Sequence, residues 1–190
     1  LPLLAMAGGP QELAAVTASL KDRDEEAPLA ALRALADWPN DVALEALWAV
    51  VKAPPAPAQK ILALRGYASV LSRPNPARKP AETLALFKNA LEAAEREDEK
   101  RQVLAGIANV YHPDAWVLLK SLGADKALAK EADLAWQKLK KALDSPPAFY
   151  ASHNERNIKK ALDKDPSTRW DSGAKQVPGM WFMADFRFER

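Results

Sequence analysis

The chain has no cysteine. Disulfides, thiolate zinc sites, iron–sulfur clusters and a cysteine nucleophile are therefore excluded, although a cysteine-free chain fits any compartment. Histidine is nearly absent too, at two residues, His112 and His153. A three-histidine metal site cannot form within one chain, and a histidine-dependent triad has few ways to form. Charge of one sign is also missing. Lys plus Arg number 27 and Asp plus Glu 25, a formal +2 that argues against a dedicated nucleic-acid binder. Long apolar runs are lacking, and apolar-rich stretches such as Ala43–Val51 fall well short of a membrane span. Glycine-rich phosphate loops, HExxH and GxSxG are absent as well.

What is present is 190 residues with ordinary proportions for a folded chain, 48% hydrophobic and 27% charged. They are unevenly distributed. Residues 1–145 carry 19 basic and 19 acidic side chains, and residues 146–190 carry 8 and 6, so all of the net charge lies in the tail. Of 14 aromatics, seven fall in the last 45 residues. The first part is rich in Ala and Leu, which favour helix, and the second in aromatics, Ser, Thr, Asn, Pro and Gly, which favour short strands and turns. Ser145-Pro146-Pro147 marks the change, since Pro-Pro cannot continue a helix. This predicts a helical domain over 1–145 and a second domain over 146–190. Leu1–Ala7 is apolar but has no basic leading region, and reads as the end of a helix stopped by Gly8-Gly9-Pro10. The expectation is a piece of a longer protein.

A motif recurs in the first part. Leu32-Arg33-Ala34-Leu35-Ala36-Asp37-Trp38 aligns with Leu64-Arg65-Gly66-Tyr67-Ala68-Ser69-Val70 and with Leu104-Ala105-Gly106-Ile107-Ala108-Asn109-Val110. Leu32, Leu35 and Ala36 form one stripe of a helix. The small residue at 34, 66 and 106 predicts close approach of a neighbouring helix, because an unexplained helical Gly costs ~1 kcal/mol against Ala. Each motif is followed by breakers and a second helical stretch: Pro39-Asn40-Asp41, with Asp41 expected as N-cap, then Pro74-Asn75-Pro76, then His112-Pro113-Asp114 before a helix ending at Gly123. Helix pairs over 26–52, 56–95 and 97–122, with a leading helix at 11–20 and a closing one at 126–143, fill the segment. Paired helices of this kind bury their apolar faces by stacking into a solenoid.

A helical repeat of about 40 residues fits the HEAT or armadillo class. Ala31–Pro39 and Ile61–Tyr67 resemble HEAT repeats of large secreted or periplasmic bacterial proteins. The resemblance covers roughly residues 10–143. It implies a mainly α fold, a right-handed helical-hairpin solenoid that acts as a protein-binding scaffold, in the periplasm or outside the cell.

The tail holds short β-prone segments, Phe149–Ser152 and 181–188, the second with Phe182, Ala184, Phe186 and Phe188 on one face. A short apolar-spaced segment, Ile158–Leu162, lies between them. Ala151-Ser152, Ala161-Leu162-Asp163, Asp165, Thr168-Arg169-Trp170 and Gly179–Asp185 resemble the start of the discoidin domain, the coagulation factor five/eight type C module. That family has a galactose-binding-like β-sandwich, and Lys164 departs from its usual Gly. The match covers only 146–190, which implies a partial sandwich, since a whole one takes ~100 residues.

The resemblance implies a glycan or cell-surface ligand and a structural calcium held by Asp163, Asp165 and Thr168 in a complete sandwich. The residues themselves equally allow Asx-turns at Asp163 and Asp165 and a Thr168 cap. His153 and Arg169 are the candidate sugar contacts, with Trp170 expected in the core. The acidic run Glu92–Glu99 reads as a solvated face, and His112 as a surface turn residue. The chain is thus expected to be a non-catalytic interaction module with a protein partner and a glycan, and without nucleic acid or a membrane span. The rival is an accessory region of a larger carbohydrate-active or cytochrome-type enzyme.

Overall fold

The structure is a computed structural model that describes residues 9–24, 26–53, 56–144, 148–161, 163, 165, 167–175 and 177–185. Leu1–Ala7, Ser145-Pro146-Pro147, Leu162, Lys164, Pro166 and the strand positions 186–188 lie outside the described residues. The fold is mainly α-helical, with a small two-stranded antiparallel sheet. Its contacts divide the chain into two compact units, Leu1–Lys140 and Lys141–Arg190.

The first unit opens with α1 (Pro10–Ser19) and continues through α2 (Glu26–Ala36), α3 (Ala43–Lys52), α4 (Pro57–Leu71), α5 (Pro80–Ala93), α6 (Glu97–Ile107) and α7 (Pro113–Leu122); α8 (Ala129–Asp144) begins here and runs across the division. Proline opens α1, α4, α5 and α7. Its fixed φ suits the first helical turn, where a backbone N–H has no intrahelical partner to lose. The helix pairs expected from the breakers are therefore all present as helices. None of the described helices is long and apolar enough to cross a membrane.

The recurring motif lies on α2, α4 and α6. Its three large positions are buried in every copy: Leu32, Leu35 and Trp38, then Leu64, Tyr67 and Val70, then Leu104, Ile107 and Val110. These residues bring alternate helices together, for α2 packs on α4 and α4 on α6, while α3 lies against α4 and α5 against α6. The small position explains how closely. A Cβ at Gly66 would sit 2.8 Å from Ala36 Cβ, and one at Gly106 would sit 2.5 Å from the Phe87 ring. Leu47 Cδ2, 3.2 Å from that Gly66 position, lies nineteen residues upstream of the glycine, and Phe87 lies nineteen residues upstream of Gly106. The same contact thus repeats with the same spacing.

The turns are tied together by arginines. Arg73 donates to the carbonyls of Ala36, at 2.8 Å, and Trp38, which end α2. Arg78 donates to the Leu71 and Arg73 carbonyls at 2.6 and 3.1 Å, to Thr83 at 3.0 Å, and to the Asp41 carboxylate at 2.9 Å. Its side chain is 6% exposed. Asp41 is therefore not the expected N-cap: its carboxylate is taken by Arg78 and by the Asn75 amide at 2.6 Å, and α3 starts without a side-chain cap.

Two further expectations are corrected. Glu99 is not on a solvated face. It is 4% exposed and accepts the backbone N–H groups of Glu95 and Arg96, each at 3.2 Å, which satisfies donors at the start of α6. Gly123 ends α7 with φ of −62°, not in the left-handed region usual for a terminating glycine. His112 is more than a turn residue, since its Nδ1 accepts the Asp114 N–H at 3.1 Å and caps α7. The Trp116 ring of α7 and the Trp136 ring of α8 lie 5.8 Å apart, and Lys138 of α8 donates to Asn109, in the turn after α6, at 2.7 Å.

The second unit contains β1 (Ala148–Ala151), a 3-10 helix (Glu155–Ala161) where the apolar-spaced segment was expected, and β2 (Phe182–Asp185). Tyr150 faces Met183 and Ala151 faces Phe182 across the antiparallel pair. Ser152 extends the pairing, donating its N–H to the Trp181 carbonyl at 3.1 Å and accepting the Trp181 N–H on Oγ at 3.0 Å.

An Ala in place of an exposed helical Gly stabilises by ~1 kcal/mol. Gly106→Ala is expected to do the reverse, because the new Cβ would lie 2.5 Å from the Phe87 ring, which is 1% exposed and would have to shift from its packed position. Overpacking costs about 1–3 kcal/mol, so a urea midpoint below wild type is expected. A raised midpoint would mean that the helices do not meet at this position.

Candidate functional site

Each candidate named from the sequence lies in the second unit, and the structure separates them into two places. The first is the loop that follows the 3-10 helix. Asp163 accepts the Asp165 N–H on Oδ1 at 3.0 Å and the Thr168 hydroxyl on Oδ2 at 2.7 Å. Asp165 Oδ1 accepts both the N–H and the hydroxyl of Ser167, at 2.8 and 2.6 Å. The structure does bring Asp163, Asp165 and Thr168 together, in the geometry of successive Asx-turns.

These bonds act on the carboxylates. The Thr168 hydroxyl first, and then the Asp165 N–H, hold Asp163 below the usual aspartate range. The Ser167 hydroxyl and N–H do the same for Asp165. As a calcium cradle the set is short. Calcium takes roughly six to eight oxygens, and the described residues bring together no group of three candidate carboxylate or histidine ligands. A cation at Asp163 would compete with the Thr168 hydroxyl and the Asp165 N–H for its two oxygens.

The second place is a hollow of about 600 Å³ beside the sheet, lined among others by His153, Trp170, Asp171, Met180, Trp181 and Phe182. His153 is exposed, with Nδ1 2.9 Å from the Ser152 hydroxyl. Trp181 is 52% exposed and Phe182 42%. Trp170 is half-buried rather than core. Its ring centre lies 5.1 Å from that of Phe182, and its Nε1 donates to the Asn154 carbonyl at 3.1 Å. Arg169 is exposed and does not line the hollow, so the structure separates it from His153.

Asn154 organises this region and the sequence reading missed it. Its φ is +50°, a left-handed conformation that Asn tolerates better than most residues. Its amide donates to the Asp171 carbonyl at 2.9 Å, and its side-chain oxygen accepts from Asn157 at 2.8 Å. The chain thereby turns from β1 into the 3-10 helix while holding Trp170 beside the hollow. The signal available was an Asn directly after His153 at the end of a β-prone run, a position where a left-handed turn residue is common.

The arrangement offers an open aromatic platform with a histidine, a serine hydroxyl and a carboxylate at its margin. Such a surface can stack an apolar face of a ligand and hydrogen-bond its polar edge. No family model matches the chain, and no match was found among curated proteins or solved structures.

The depressed Asp163 pKa has a definite sign. The Thr168 and Asp165 bonds favour the charged form, so their contribution to loop order is present above the ordinary aspartate pKa of about 3.9 and is lost as pH falls through the lower, folded-state value. Carbon-detected NMR of the Asp163 carboxyl should give a midpoint below that ordinary value. Thr168→Val should move it upward. A midpoint that ignores the Thr168 substitution would contradict the hydrogen bond.

Proposed function

We propose that the chain is a non-catalytic interaction module. Its first unit is a right-handed, HEAT-like helical-hairpin solenoid that presents a surface to a protein partner. Its second unit is the beginning of a discoidin-type β-sandwich whose hollow takes a glycan or cell-surface ligand. The same reading puts the protein in the periplasm or outside the cell. The observation that carries the scaffold part is the repeated contact of α2 on α4 and α4 on α6, with a large side chain nineteen residues upstream of each glycine. Repeats that meet in one fixed way are the physical basis of a solenoid. Supporting the ligand-binding part is the hollow that joins His153 to the exposed Trp181 and Phe182 rings. Calcium at Asp163 and Asp165 is not needed for this reading.

The test uses the whole chain. On a glycan array it should retain a restricted set of sugars, and Trp181→Ala should weaken retention by about tenfold or more, as loss of a stacking anchor does. Far-ultraviolet circular dichroism should be unchanged in that variant. Retention of no glycan, or equal retention by Trp181→Ala, would overturn the glycan reading. For the scaffold part, a photo-cross-linker at the exposed Val117 and at other exposed helical positions should yield discrete protein adducts in extracts of the source cells. Adducts from no helical position would overturn that part.

A further inference from the structure

The turns between paired helices are not alike, and their difference leaves an opening. At the α2–α3 turn, space is filled from the next repeat: Arg73 covers the last carbonyls of α2, and Arg78 and Asn75 hold Asp41. The next joint has no such filling. The position that corresponds to Arg73, nine residues after the motif's first Leu, is Pro113 in the third copy. The α6–α7 turn is short and sends no arginine back. Gly106 has no side chain, and Ser72 has a small one. What results is a cavity of about 510 Å³ between the α4–α5 turn, the start of α5 and the end of α6, with Phe87 and Gly106 among its lining.

The lining has one sign of charge. Arg73 and Arg78 contribute to it, and no Asp, Glu or Lys does. Arg73 spends two of its five N–H groups on neutral carbonyls, and no described carboxylate pairs with it. The carbonyls at the end of α4 and in the turn after it would oppose an anion, but Arg78 already covers those of Leu71 and Arg73. Pro80 and Thr83 bring the N-terminal turn of α5 to the cavity, the end of a helix that favours negative charge. Asn109 and Tyr111 add polar groups at the rim, while Pro74 and Pro80 add apolar surface.

We propose that this cavity binds an acidic peptide segment of a protein partner, with a carboxylate at Arg73 and an apolar side chain against the prolines. This rests on the scaffold reading and deepens it by naming a place and a chemistry. A single carboxylate on an arginine forms charge-assisted hydrogen bonds, which gives the site its specificity for acidic over neutral residues.

The probe is an N-acetylated, C-amidated pentapeptide, Glu-Glu-Leu-Glu-Glu, titrated into the isotopically labelled full chain, with Gln and Lys counterparts. Amide shifts are expected at residues 72–78 and 106–111 with the Glu peptide only, weakening as salt is raised. Arg73→Gln should raise the dissociation constant about tenfold, the loss of one hydrogen bond to a charged group. Because Arg73 also caps α2, a second variant is needed. Asn109→Glu, at an exposed lining position, lowers the net charge beside the cavity by one and should weaken binding of the Glu peptide, by less than Arg73→Gln because Lys138 lies next to it. Equal binding of the Gln peptide, no response to Asn109→Glu, or shifts confined to another face would each overturn the cavity proposal. Absence of shifts with every peptide would overturn it too, and would leave the scaffold reading to its own cross-linking test.

Discussion

Close approach at two glycines, of a neighbouring helix at Gly66 and of a phenyl ring at Gly106, is the constraint on which the helical unit depends. Gly66 meets Ala36 and Gly106 meets Phe87 at distances that no added Cβ could share without movement. Everything else in the layer follows from helices lying that near. The large motif residues on α2, α4 and α6 interlock into one buried row because the backbones do not hold them apart. The cost of two helical glycines, ~1 kcal/mol each against Ala, is offset by the apolar surface that close packing removes from water.

Close packing also sets a polar problem, which the arginines and Glu99 solve. Helices that end against one another leave carbonyls and N–H groups away from solvent, and each unsatisfied group costs about 1–3 kcal/mol. The C-terminal carbonyls of α2 are met by Arg73, those of α4 by Arg78, and the Ala105 carbonyl of α6 by the Asn109 amide, which Lys138 holds in turn. Glu99 does the complementary work at the start of α6. The exposed pairs Lys60–Glu95 and Arg65–Asp98 add little, since solvent screens them. The cavity lies where this pattern of filling is interrupted, at a joint with Pro113 in the place of an arginine.

Periodicity made the helices legible. The stripe Leu32, Leu35, Ala36 and its two later copies identified α2, α4 and α6, and prolines and Asx residues located the turns. The glycines carried a packing meaning because a helical glycine needs a reason. Polar turn residues were not legible in the same way. Asp41 sits where an N-cap would, and only the fold reveals that Arg78, far along the chain, claims its carboxylate. Glu99 belongs to a charged run that looks solvated, yet one turn of helix points it inward. In the tail, a β-prone run disclosed β1 and alternation disclosed β2, and the spacing of Asp163, Asp165 and Thr168 disclosed a loop that closes on itself. The same spacing could not separate a cation site from Asx-turns, because both need oxygens converging on one point. Asn154 was missed, since a single left-handed residue has no periodic signature.

The most direct test of the account is a pair of double-mutant cycles, Ala36 with Gly66 and Phe87 with Gly106, read by denaturant unfolding. Gly66→Ala should destabilise the wild-type chain more than the Ala36→Gly chain, whose missing Cβ removes the tightest of the contacts that the new one would make. Gly106→Ala should likewise be better tolerated beside Phe87→Leu. Coupling at both sites, of the same sign and on the order of 0.5–3 kcal/mol, is the predicted result. Additive effects at both would contradict the claim that the repeated approach at these glycines holds the helices in place.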